Sequence, residues 1–209
     1  MPAPDDFFDA IDSARVRRAK ELSEIKRQFV TMASADPLAV GSKSVVVLCY
    51  AAWEGFYNDC VRTYLDFLQH SGMKVADASW LLLTGTFSAD FQSLRDRHHS
   101  HTAKREFVAQ LKDRLDGGFE DFDRSVVMAR SNLDFGTLSS NFILLALEIT
   151  PFQVSRLRID KELVGWRNGV AHGDPPDLRE VDVTSHVNFA SELLLTVAGS
   201  FQQAILEHL

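Results

Sequence analysis

An arginine and a histidine stand five positions apart in "WRNGVAHGDPP", residues 166–176. These are side chains that can do chemistry. A histidine of ordinary pKa, about 6.5, takes or gives a proton near neutral pH. A guanidinium fork answers negative charge gathering on oxygen. Spacing limits how they can cooperate. On a regular helix five residues turn about 500°, so Arg167 and His172 point roughly 140° apart, whereas Asn168 and His172 share a face. One helix therefore does not aim both groups at one point unless it distorts near Gly169. A second copy related by a two-fold axis removes the difficulty, each arginine then approaching the other chain's histidine. A plain structural reading stands beside this one. Basic residues in a last helical turn complement the dipole, and a following Gly and Pro stop the helix.

Other residues invite similar scrutiny. Glu54 lies among Tyr50, Trp53, Gly55 and Tyr57, where a carboxylate is costly to bury without a partner. It either orients Arg167 or His172 or pairs with some arginine to fix helix register. Gly55 is expected to admit a close neighbouring helix. In "RDRHHSH", residues 95–101, His98 and His101 have the spacing of a metal pair on a helix, with Asp96 nearby. No matching cluster elsewhere completes a ligand set, and a solvated, partly basic segment is the expectation. Arg95, Arg97, Lys104 and Arg105 make it the densest positive run in the middle of the chain. Further basic clusters are Arg15-Arg17-Arg18-Lys20 and Arg156-Arg158-Lys161. The second, just upstream of the motif, is the preferred phosphate-binding rim. His186 reads as an ordinary helix residue.

These groups sit on a pattern that is helical throughout. Phe8, Ile11, Leu22, Ile25, Phe29 and Met32 form a stripe predicting a helix over about 5–34, with Arg15 and Arg18 on it. Val46, Tyr50, Trp53, Tyr57, Val61, Tyr64 and Leu68 step by four and three, and Val45, Leu48, Ala52 and Phe56 widen the face. They predict a central helix over about 41–70. Residues 73–130 are less regular, with a helix in "HTAKREFVAQLKDRLDGG". Then come "TLSSNFILLALEI", the motif helix, and a final long helix from about 179 to 209. No alternating run ends in a two-residue turn, so the fold class is all-α, a helical bundle with two long core helices and shorter ones around them. One domain over 1–209 is expected, with 1–36 as an N-terminal helix and 73–130 as a variable helical insertion.

Composition narrows the function. The 209 residues are 45% hydrophobic and 24% charged, ordinary for a globular protein able to bury a core without disulfides. Net charge is −7, which argues against indiscriminate nucleic-acid binding while permitting a basic cleft. Cys49 and Cys60 form no CxxC pair, which points to a reducing cytoplasm. The acidic opening is unlike a secretory signal, and no run reaches the ~18 uninterrupted apolar residues of a membrane span.

"IDKELVGWRNGVAHG" resembles the signature of the HEPN superfamily, Arg-x4–6-His, often with a polar residue after the arginine; Arg167, Asn168 and His172 fill those places. "YAAWEGFYNDCVRTYLDFL" resembles the early helix of one branch, with its Trp-Glu-Gly-Phe core, and "SNLDFGTLSSNFILLALEI" resembles the segment before the motif. The likeness covers roughly residues 43–70 and 130–208. It implies a helical homodimer acting as a metal-independent endoribonuclease without a cofactor, a toxin or phage-defence component with RNA as substrate and an antitoxin or other operon-encoded protein as partner. It implies that Arg167 and His172 are catalytic, with Asn168 orienting the phosphate or fixing the imidazole tautomer and Glu54 in support. Arg156, Arg158 and Lys161 are then expected to bind substrate. A non-catalytic scaffold or RNA- or protein-binding module is the alternative within the same superfamily, and a metal hydrolase built on His98 and His101 is a second.

Overall fold

The computed structural model describes residues 3–29, 40–174, 178 and 180–208. Three long helices carry the bundle: α1 (Pro4–Phe29), α2 (Val40–His70) and α9 (Glu180–Glu207). Each packs on the other two. Between α2 and α9 the chain makes the short α3 (Leu83–Thr86), α4 (Ser88–Asp96), α5 (His101–Asp116), α6 (Phe135–Leu144), α7 (Arg156–Arg158) and α8 (Trp166–His172). No strand occurs among the described residues, so the all-α expectation holds. The predicted central helix matches α2 within a residue. Met32, the expected end of the first helix near 34, the prolines after the motif and the start of the last helix at 179 lie outside the described residues.

α2 is central because most of its circumference is apolar. Val45, Val46, Cys49, Trp53, Phe56, Tyr57, Cys60, Val61 and Tyr64 are all fully buried. Around it Tyr57, Tyr64, Phe142, Phe152 and Phe201 form a chain of edge-to-face and stacked rings. This geometry suits the aromatic quadrupole. α9 is long and apolar enough to cross a membrane by length and composition alone, but its apolar face is buried against α1 and α2. Burial pushes the Cys49 thiol up to about 12, and Cys60 rises for the same reason, so both are inert core thiols.

Gly55 does make room, but not for a helix. A Cβ there would meet the Arg18 guanidinium at 2.6 Å. Arg18 instead lies across α2 to reach Asp59 (3.4 Å), which Arg17 (2.9 Å) and Arg62 (3.2 Å) also contact. Of the two arginines on the predicted apolar stripe of α1, Arg18 is thereby accounted for, and Arg15 pairs with Asp12 one turn away (3.1 Å).

Residues 127–134 form no helix, yet they run beside the core. Val127 N and Met128 N bond Arg124 O, Asn141 donates to Val127 O, and side chains of α2 satisfy much of the rest. Tyr57 donates to Val127 O (2.8 Å), Trp53 Nε1 to Leu133 O (3.3 Å), and Leu133 N donates to the Tyr50 hydroxyl (2.9 Å). Asn58 bonds Ala129 twice, accepting from its N–H (2.9 Å) and donating to its carbonyl (3.0 Å). Buried peptide groups demand such partners. Asn58→Ala removes both bonds and leaves Ala129 unpaired. Urea melts should show a loss of about 1–3 kcal/mol with an unchanged m-value.

Candidate functional site

The motif helix is the end of a longer run with an unexpected middle. α7 passes without a break into a π-helical turn, Ile159–Gly165, and then into α8. A π turn widens the helix by one residue per hydrogen bond and so shifts everything downstream around the axis. The distortion lies upstream of the motif; through Gly169 the helix is regular α. Gly173 ends it in the left-handed conformation (φ 82°), and Asp174 N bonds Gly169 O at 2.8 Å. The expected glycine stop is therefore present. The geometry computed for a regular helix applies: within one chain, Arg167 and His172 diverge.

Arg167 is half-buried and held on three sides. Its Nη2 donates to Ser131 O and to Asn132 Oδ1 (2.9 Å). Its Cζ lies 4.2 Å from the centroid of the Tyr50 ring, a cation–π contact of about 1 kcal/mol or more where water is excluded. Nε is buried without a partner, and Nη1 makes no hydrogen bond among the described residues. His172, in the last turn of α8, is exposed and unengaged by the described residues. Asn168, half-buried, opens onto a cleft of about 580 Å³ lined also by Asn132, Asp134, Phe135, Arg156 and Asp160.

Glu54 forms no ion pair among the described residues, so it holds neither Arg167 nor His172 directly. It interacts with the Tyr50 hydroxyl one turn away. Burial first, then this hydrogen bond, pushes the phenol up to about 12, keeping it neutral beneath the guanidinium. Glu54 thus acts on Arg167 only through Tyr50.

The basic rim divides. Arg156 lines the cleft and approaches the Phe135 ring (5.4 Å). Arg158 does not: it makes a two-pronged pair with Glu162 (2.8 Å each), touches Ser185 Oγ and covers the Phe189 ring at 3.9 Å. Lys161 is exposed. Asp160 turns inward, accepting from Phe135 N (2.8 Å), while Asp134 caps α6 through Thr137 N (2.7 Å). His98 and His101 do not form a helical pair. His98 and His99 occupy the turn before α5 with φ of 50° and 51°, and His101 begins α5. Among the described residues no group of three or more His, Cys, Asp or Glu could hold a metal.

Sequence reasoning missed Tyr50, Ser131 and Asn132 as the seat of Arg167. The signal was a polar Ser-Asn pair between two apolar stretches, quoted above only for its resemblance. His186, expected to be an ordinary helix residue, is fully buried on α9, with both ring nitrogens unpartnered among the described residues and Trp166 at 5.1 Å.

The all-α bundle, with an exposed histidine and an anchored arginine on one helix, fits the HEPN-like arrangement that the sequence resemblance implies. The model of the RiboL-PSP-HEPN family matches residues 13–203, and the chain belongs to that family. No curated protein and no solved structure matches it.

Desolvation lowers the His186 imidazole from 6.5 to about 4. Across that window the unfolded chain binds more protons than the folded one. Stability is therefore complete above pH 6.5 and falls as pH drops towards 4, by up to about 1.4 kcal/mol per pH unit. His186→Phe has no such proton to take up. Its melting temperature relative to wild type should rise progressively between pH 7.5 and pH 5, and a constant difference contradicts the assignment.

Proposed function

We propose that the chain is a metal-independent endoribonuclease of the HEPN type, working at a cleft shared by two copies. The observation that carries this reading is the contrast within the motif: Arg167 is locked in place at the surface, while His172 is exposed and uncommitted. The 2′-hydroxyl of RNA attacks the adjacent phosphorus. The imidazole of one His172 takes the 2′ proton, and protonated His172 of the second copy delivers one to the departing 5′-oxygen. Arg167 stabilises the charge on the non-bridging oxygens, with Asn168 and Arg156 holding the flanking phosphate from the cleft. The products are a 2′,3′-cyclic phosphate and a 5′-hydroxyl.

A second copy is supported by the divergence of Arg167 and His172 on one helix. It is supported also by apolar surface on α1 and α2, where Val16 and Leu48, 44% and 39% exposed, line a groove of about 1120 Å³ between the two helices. Free buried cysteines suit a reducing cytoplasm. A toxin or phage-defence role, with an antitoxin or operon-encoded partner, is the reading that membership of the HEPN family suggests for such a nuclease.

One observation favours the alternative of a non-catalytic scaffold or binding module: Arg167 is tied back to its own chain at Ser131, Asn132 and Tyr50, a structural use of the motif. Purified protein incubated with RNA in excess EDTA separates the two. Cleavage that survives chelation and drops at least a hundredfold in His172→Ala and Arg167→Ala supports the nuclease. Intact RNA with wild type, and no growth arrest on expression, supports the module.

A further inference from the structure

α4 and α5 form an arm whose outer surface the bundle does not use. α4 buries no residue and α5 only Ala103. The two helices are joined by their own cluster, Phe87, Phe91 and Phe107, with ring centroids 5.8–6.2 Å apart. Arg114 ties the base of the arm to Asp90 and Asp121.

The charge on this arm is unlike that of the whole. From the start of α4 to the end of α5, residues 88–116 hold six Lys and Arg against five acidic residues, and their middle, residues 95–112, holds five against two, in a chain of net charge −7. Both acidic groups are engaged: Asp96 accepts from Gln92 (2.7 Å), and Glu106 pairs with Arg97. Lys104, Arg105 and Lys112 make no hydrogen bond or ion pair among the described residues, and all are exposed. With His101 and Val108 they recur at three- and four-residue steps, so they share one face of α5. That face spans about 16 Å along the axis, enough to meet more than one phosphate of a strand. Val108, 65% exposed in its middle, offers an apolar contact between the cations. The arrangement also costs stability, because Lys104 and Arg105 stand near the positive end of the helix dipole with no acid in the first turn to offset them. Among the described residues only the neighbouring Glu106, already paired with Arg97, acts on Arg105, and a polyanion laid along the face would supply the missing counter-charge.

We infer that this face of α5 is a second RNA-binding surface, gripping the phosphate backbone through Lys104, Arg105 and Lys112 away from the motif cleft. The inference rests on RNA being the ligand of the proposed site. Its contribution is sequence-independent affinity: it holds a long strand while a single linkage occupies the cleft.

The test uses the full chain carrying His172→Ala, so that RNA is not consumed, and a fluorescein-labelled unstructured 20-nucleotide RNA followed by anisotropy. Adding Lys104→Glu, Arg105→Glu and Lys112→Glu should weaken binding at least tenfold at 100 mM salt. The slope of log affinity against log salt should fall by about 2, the value for three lost contacts to a single strand. Lys104→Glu and Arg105→Glu complement the dipole at the start of α5, while Lys112→Glu, beside Asp113, opposes it towards the end. A retained helical circular-dichroism spectrum and cooperative melt separate lost contacts from lost folding. A twofold or smaller change in affinity overturns the inference, as does a starting protein that fails to bind the 20-mer. Poly-glutamate binding that the triple substitution abolishes while RNA binding persists overturns it in favour of an acidic protein partner. With His172 restored, the triple variant should cleave a dinucleotide, which offers one phosphodiester only, at the wild-type rate. A chain that cleaves no RNA yet binds the 20-mer through these three residues sinks the nuclease reading and leaves the arm standing.

Discussion

The site depends on a stretch of chain that has no regular structure of its own. Residues 127–134 form no helix or strand, and where the segment is buried, at Val127, Ala129 and Leu133, its peptide groups need partners other than water. α2 supplies the partners from Tyr50, Trp53, Tyr57 and Asn58, spaced at one-turn intervals along its length. The core helix is thus apolar in bulk and polar at the tips of its aromatic rings. That combination lets it fill the interior while fixing an irregular neighbour. The same tyrosine that accepts from Leu133 N–H carries the Arg167 guanidinium on its face. Positioning of the motif is therefore a property of the bundle's centre and not of the motif helix.

This explains what was legible in the sequence and what was not. The long helices were readable because their apolar stripes repeat at the helical period, and that pattern is imposed by the same core that the structure shows. The motif was readable through residue types. The seat of Arg167 was hidden because a backbone carbonyl, at Ser131, has no sequence identity, and because Tyr50 looked like one more core aromatic among many. The π turn was hidden for a related reason. Leu163 and Val164 are both buried although adjacent, and such a doublet reads equally well as the broad face of an α-helix. Gly55 misled in a specific way: absence of a side chain signals close approach, but not whether backbone or an arginine does the approaching.

The fates of the positive charges follow one rule. Where an arginine reaches a carboxylate or a ring within the bundle, it ceases to be available to a ligand, as Arg18 does at Asp59 and Arg158 does at Glu162 and Phe189. A basic cluster in the sequence is a poor guide to a basic surface until those internal partners are known. Arg156 and Arg158 are two residues apart on one short helix, yet only Arg156 lines the cleft beside Asn168.

Arg167 sits between these extremes, and its intermediate state is what gives the site its character. Nη2 and the ring-facing side of the guanidinium are committed to the fold, so the group cannot swing away and loses little entropy on meeting a phosphate. Among the described residues Nη1 has no geometric hydrogen bond, and in the proposed reaction that edge of the fork would meet an incoming oxygen. A preorganised half-occupied donor is better placed to stabilise developing charge than a free surface arginine, because the reorganisation has already been done during folding. His172 needs the opposite. In the proposed reaction the imidazole must be reachable by RNA, and the last turn of α8, ended by Gly173, leaves His172 exposed. The two requirements, one group anchored and one exposed, conflict on a single face of a single helix, and their divergence across α8 is how one short segment meets both.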